Sequence, residues 1–286
     1  MIANGARAAC RGKDSHSMLT RQARLDGSFW DGALLPVGLR AVSFRMANEP
    51  RQPVRAPRPI RGLLLDACNI LYDDTAWRRW LLRLLQRLGL RTEYGPFFRI
   101  FARDYLDAVH RGERPFNDAL DEFLISAGLS AGQAEEVHRA LESYRGHSEV
   151  NHRPLIGVRD TLSQLGCCGM KLGVLCNSEH SGAALRQRLA ELLGGSPWAA
   201  VISSRDLGRT MPDAACYRAA LQAMQLPAAD VAFVGHDALE LRGAARQGLA
   251  TIAFNGDRDA RADIYLQRFE DLLELTRYSL RGSAVA

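Results

Sequence analysis

Asp66 is the residue of this chain best placed to do chemistry. It follows the apolar run Leu63-Leu64-Leu65, which has no period-of-two alternation and so suits a strand buried on both faces of a parallel sheet. A carboxylate at the carboxyl end of such a strand stands where open α/β sheets gather their ligands, and its chemistry there is that of a nucleophile or a metal ligand. Other reactive groups are present without a diagnostic spacing. The six cysteines (Cys10, Cys68, Cys167, Cys168, Cys176, Cys216) include one adjacent pair and no CxxC, which argues against a zinc ribbon or disulfide framework and for a reducing, cytoplasmic setting. No HExxH and no Ser-His-Asp order occurs, and Gly166 and Gly169 precede a strand, so they read as a turn and not as a phosphate loop.

The elements that must hold Asp66 follow from charge and periodicity. A chain of 286 residues at 47% hydrophobic supports two structured units plus a tail. Residues 1–60 carry ten of the 37 basic residues and four of the 32 acidic ones, so the net charge of +5 belongs to that leader and the remainder, with 27 against 28, is nearly neutral. The stretch Pro50 to Ile60 is basic and Pro-containing and cannot bury enough apolar surface to order itself; residues 1–60 read as a disordered leader, with Met46 a candidate natural start. An arm for nucleic acid and an Arg-rich organelle presequence are weaker readings of the same residues. No apolar run reaches membrane-spanning length.

After Asp74 the pattern becomes helical. Trp77, Trp80, Leu81, Leu84, Leu85 and Leu88 recur at spacings of three and four up to Gly89, and further helices fit Phe97 to His110, Pro115 to Ala127 and Ala131 to Tyr144. Residues 75–153 thus read as an all-helical insert whose core is Tyr94, Phe97, Phe98, Phe101 and Tyr105, with His147 and His152 solvated. From Pro154 onwards strands at Leu172 to Cys176, Ala199 to Ser203, Val231 to Gly235 and Ala250 to Phe254 alternate with helices, and a helix over Asp263 to Thr276 closes the chain. Residues 61–74 and 154–280 are therefore predicted to form a doubly wound parallel α/β sheet, interrupted after its first strand by the helical insert.

In order and spacing, LLLDACNIL, RPLIGVRDTLSQL with KLGVLCNSEH, SSRDLGRTMPDAACYRAAL and DVAFVGHDALELRGAARQGLATIAF resemble the landmarks of the haloacid dehalogenase-like (HAD) superfamily, in the branch with a helical cap between the first two core motifs. The resemblance covers about Arg61 to Thr276. It implies a Rossmannoid core with an inserted cap, and hydrolysis of a small-molecule phosphoester or carbon–halogen bond through an aspartyl-enzyme. It puts the nucleophile at Asp66. The family's phosphatases carry a second aspartate two residues on, to protonate the leaving alkoxide; here that residue is Cys68, a poor proton shuttle. Dehalogenating relatives also lack it, because halide leaves without a proton.

The hydroxyl position of the second motif is Cys176, followed by Asn177 and Ser178. The resemblance makes Asn177 a catalytic candidate beside Asp66, Cys68 and Cys176, and makes Asn69, Ser178 and Arg209 the substrate-binding candidates. The third motif's lysine is Met211; the only lysines are Lys13 in the leader and Lys171 at the far end of a strand, and Arg209 or Arg205 is a weak replacement. The fourth motif's acidic pair becomes His236 and Glu240, with Asp237 next in line. Asp66, His236, Asp237 and Glu240 are thus candidate ligands of a magnesium site that reads as degraded, since magnesium takes oxygen donors.

Three functions compete on this pattern: a hydrolase of altered or weak activity, a HAD-like binding module without turnover, and a soft-metal (zinc-type) or redox site built from Asp66, Cys68, Cys176 and His236. A small-molecule substrate or ligand is the expected partner; neither a membrane nor nucleic acid is, and oligomeric state is not legible.

Overall fold

The computed structural model describes residues 60–148, 153–195 and 197–274. The leader with Met46, His152 and the side chain of His147 lie outside the described residues. Strands β1 (Gly62–Leu65), β2 (Lys171–Cys176), β3 (Trp198–Ser203), β4 (Val231–Gly235), β5 (Ala250–Phe254) and β6 (Ile264–Leu266) form one parallel sheet in the order β3-β2-β1-β4-β5-β6. All four residues of β1 are buried. Leu65, the last residue of β1, is in register with Val174 of β2 and Val234 of β4, and these strands run on past it to Cys176 and Gly235. The chain winds outward from β1 to β3, then returns to β4 and winds to β6, which puts the switch point beside β1.

Between β1 and β2 the chain makes α1 (Ala76–Arg87), α2 (Tyr94–Ile100), a π-helical continuation (Phe101–Leu106), α3 (Asp107–His110), α4 (Phe116–Ser126) and α5 (Ala131–Ser148). Their apolar faces close on a core of their own around Phe97, Phe98, Phe101, Leu120, Phe123 and Val137. Trp80 stacks on Tyr144 with ring centroids 4.4 Å apart, and Trp77 meets Phe98 edge-on at 5.7 Å, so both tryptophans pack onto that core. Tyr94 stands at its rim, 37% exposed.

Helices α6 (Val158–Cys167) and α7 (Gly182–Leu193) cover the sheet face that carries Leu63 and Leu65. After the short α8 (Ser204–Leu207), helices α9 (Ala214–Met224) and α10 (Ala238–Arg246) cover the opposite face, against Leu64, Leu175 and Phe233. Hydrogen bonds that tie the insert to the sheet domain include Ser204 Oγ donating to the His110 carbonyl at 2.7 Å and Thr210 Oγ1 donating to Asp107 Oδ1 at 2.7 Å.

Where a closing helix is expected over Asp263 to Thr276, the chain first makes β6 and a 3-10 turn, Phe269–Asp271, and α-helical backbone begins only at residue 272. Ile264 and Leu266 are buried on either side of exposed Tyr265, a period of two that adds an edge strand beside β5.

Candidate active site

Asp66 is fixed by the strand that precedes it. Its N–H donates to the Val234 carbonyl at 3.0 Å, and its Oδ1 accepts the Ala67 N–H at 2.7 Å. The residue is 4% exposed, and its Oδ2 lies 3.6 Å from His236 Nε2, which projects from the end of β4. Burial pushes the Asp66 carboxyl up to about 6, even though the charge of His236, the Ala67 N–H and the Cys176 thiol each pull it back.

Two thiols continue the site away from the imidazole. Cys176, the last residue of β2 and 1% exposed, donates to the Asn177 carbonyl at 3.5 Å and stands beside Asp66 and Cys68, both of which act on its protonation. Cys68 is half-buried, and its Sγ lies 3.6 Å from the Tyr72 hydroxyl. The neighbouring Cys68 thiol, followed by burial, pushes the Cys176 thiol well above its usual range. Burial does the same to the Tyr72 phenol, over whose ring the Arg188 guanidinium sits at 5.6 Å. Tyr72, Cys68, Cys176 and Asp66 therefore form one polar line under the strand ends. Sequence reasoning missed Tyr72; its signal was a lone hydroxyl in the apolar stretch Ile70-Leu71-Tyr72.

A second group locks the far wall. The Asn177 amide spans three segments: Nδ2 donates to Glu240 Oε1 at 3.0 Å and to the Met211 carbonyl at 3.3 Å, while Oδ1 accepts the Met211 N–H at 2.8 Å. Glu240 stands in the first turn of α10, and its Oε2 is buried with no hydrogen-bond partner. Burial first, then the charge of Asp66, holds its carboxyl well above the usual range, which favours the protonated form. Tyr217 Oη donates to the Glu240 carbonyl at 2.7 Å; Gly243 leaves that path open, since a Cβ there would meet the hydroxyl at 2.6 Å. Met211, where the resemblance implies a lysine, is 5% exposed in the apolar core of this face and brings no charge.

Several candidates are drawn elsewhere. Asp237 is the N-cap of α10: its Oδ1 accepts from Leu239 N at 2.7 Å and Glu240 N at 2.9 Å, so the carboxylate is spent on the helix end. Arg209 is 65% exposed and pairs with Asp213 at 3.4 Å, and Arg205, also exposed, donates to the Glu179 carbonyl. Neither replaces the missing lysine. Lys171 Nζ bonds the Met224 carbonyl at the opposite end of the sheet. Asn69 adopts φ 59° and organises its own loop, donating from its N–H to the Tyr72 carbonyl and accepting the Asp74 N–H on Oδ1. Ser178 Oγ accepts the His180 N–H, and its backbone N–H donates to Ser204 Oγ. Both residues shape the rim.

The donor set does not fit magnesium. Asp237 is spent on its helix, one oxygen of Asp66 accepts the Ala67 N–H and one of Glu240 accepts the Asn177 amide, burial favours the protonated form of Glu240, and a thiol at Cys68 and an imidazole at His236 stand where oxygen donors are wanted. The zinc-type alternative fares no better, because among the described residues no three His, Cys, Asp or Glu side chains are grouped to hold a metal ion.

A family model for haloacid dehalogenase-like hydrolases matches residues 60–248. No curated protein matches the chain. Among solved structures, a 2-haloacid dehalogenase from Pseudomonas syringae pv. Tomato is 22% identical and superposes with a TM-score of 0.51, covering 77% of this chain and 99% of its own. A defluorinating L-2-haloacid dehalogenase, Rha0230, is 23% identical with a TM-score of 0.53, covering 79% of this chain and 100% of its own. The putative HAD-hydrolase YfnB from Bacillus subtilis, solved with magnesium, is 18% identical with a TM-score of 0.58, covering 77% of this chain and 100% of its own. At these identities the likeness is one of fold.

Proposed function

The chain belongs to the haloacid dehalogenase-like hydrolases, and we propose that it is an Asp66-dependent hydrolase of altered or weak activity, whose small-molecule substrate loses its leaving group without a proton. A 2-haloacid fits that description better than a phosphoester. The observation that carries this reading is the position of His236, 3.6 Å from the buried Asp66 carboxylate, together with a thiol at Cys68 where phosphoester cleavage wants an acid.

In this reaction a carboxylate oxygen of Asp66 attacks the halogen-bearing carbon; the C–O bond forms as the carbon–halogen bond breaks, and halide leaves with the electron pair. Water then adds to the Asp66 ester carbon. His236 Nε2 takes one of its protons, the ester C–O bond breaks and the added hydroxyl passes its remaining proton to the departing alkoxide, so the 2-hydroxy acid leaves with the Asp66 carboxylate restored and His236 protonated. The helical insert acts as the cap that keeps bulk water from this pocket. Magnesium has no part in either step. The free thiols among the described cysteines suit the reducing cytoplasm this reading assumes.

The competing reading is a binding module without turnover, and the 4% exposure of Asp66 favours it. A steady-state assay against 2-haloacids and phosphoesters, with chelator, magnesium or zinc, separates the two. Halide release in chelator that Asp66→Asn abolishes is the expected result. Turnover confined to phosphoesters and dependent on magnesium would overturn the mechanism, and none under any condition would leave the binding module.

A further inference from the structure

The register of β1 and β2 brings two thiols to one place. Leu65 pairs with Val174, so Cys176 closes β2 two residues beyond that pair, and Cys68 lies three beyond it in the turn that follows β1. Adjacent strands lie about 4.8 Å apart, within the reach of a disulfide. Cys68 packs against the buried cluster that contains Cys176, and the Cys68 thiol acts on the Cys176 proton. They differ in burial: Cys68 is half-buried, whereas Cys176 is 1% exposed. Cys167 and Cys168 are exposed at the other end of the sheet, and Cys216 is buried on α9 itself, where its thiol reaches the Arg209 carbonyl.

We propose that Cys68 and Cys176 are a peroxide-oxidised dithiol, closing to a disulfide beside Asp66. Cys68 sulfur attacks one oxygen of a hydroperoxide; the S–O bond forms as the O–O bond breaks, giving the sulfenic acid and one molecule of water or alcohol. Cys176 sulfur then attacks the Cys68 sulfur, the S–S bond forms, and the sulfenic hydroxyl leaves as water with the Cys176 proton. Two thiols are oxidised by two electrons and one peroxide is reduced.

Closure has consequences for the site. The disulfide withdraws the Cys176 thiol from Asp66 and the Cys68 thiol from Tyr72, and it ties the loop after β1 to the tip of β2. The inference does not depend on the hydrolase reading, because its test reads the covalent link itself.

The test treats the full-length protein with hydrogen peroxide, blocks remaining thiols, and maps peptides by mass spectrometry without reduction. The expected result is a linked pair of peptides containing Cys68 and Cys176, lighter by two hydrogens than the reduced pair and separated by dithiothreitol. Cys176→Ser should leave a Cys68 sulfenic acid trapped by dimedone, and Cys68→Ser should leave Cys176 reduced at the same peroxide dose. Oxidation confined to Cys167 or Cys168, or a Cys68 that proceeds to sulfinic acid in the wild-type chain without ever joining Cys176, would overturn the proposal.

Discussion

His236 Nε2 stands 3.6 Å from Asp66 Oδ2, and the two residues directly follow β4 and β1, neighbouring strands paired at Leu65 and Val234. Burial pushes the Asp66 carboxyl up to about 6 and would hold it higher still without the charge of His236, which pulls it down. Several consequences are measurable.

Asp66→Asn should stabilise the protein at neutral pH. The unfolded carboxyl loses its proton near 3.8 and the folded one near 6, so between those values the folded chain binds more protons and stability falls as pH rises. The asparagine variant escapes that loss. Its advantage should be on the order of 2 kcal/mol above pH 7 and should vanish as pH falls below about 4. Urea titrations across that range measure it, and a variant no more stable than wild type at pH 7.5 would contradict a strained Asp66.

His236→Asn removes the charge that pulls Asp66 down. The pH at which Asp66 titrates should then move up from about 6, carrying with it the acid limb of any Asp66-dependent turnover and the stability step described above. An unmoved limb would mean that His236 carries no charge where it faces Asp66.

Ser204→Ala should loosen the insert from the sheet domain. Its hydroxyl, 1% exposed, donates to the His110 carbonyl and accepts the Ser178 N–H, so alanine leaves two polar groups unmatched. The cost should be about 1–3 kcal/mol, with faster hydrogen exchange at Ser178. Wild-type exchange there would show that the bond holds nothing.

Gly243→Ala should be the more damaging of two small changes on α10. The new methyl would sit 2.6 Å from the Tyr217 hydroxyl, which must swing out and abandon the Glu240 carbonyl. A loss of about 1–3 kcal/mol is expected in a denaturant titration, against less than about 1 kcal/mol for the exposed Arg242→Ala. Equal effects at the two positions would remove Tyr217 from this account.

The sheet was legible because its strands are short apolar runs set between strongly periodic helices, and β1 announced itself through Leu63-Leu64-Leu65 ahead of Asp66. β6 was not, because three residues alternating Ile264-Tyr265-Leu266 are too few to stand out from the acidic and basic residues around them. Asp237 illustrates a signal that was present and read for the wrong purpose. Asp followed three residues later by Glu ahead of an apolar stretch marks a helix N-terminus, and that is where its carboxylate goes. Asn177 shows the opposite case: its three hydrogen bonds join segments far apart in the chain, and no local pattern encodes them.

The interruption between β1 and β2 also sets an order of assembly. When β1 leaves the ribosome, both of its partners are still to be made, since they lie at Lys171–Cys176 and Val231–Gly235. The insert that follows carries its own apolar core and meets its contacts as they are synthesised. Strand β1 must therefore wait, an apolar segment with two open edges, until β2 and then β4 arrive to close a long loop around an already folded bundle. Nucleation of the sheet is a late event in the life of the nascent chain, and Asp66 acquires its surroundings only when β4 is in place.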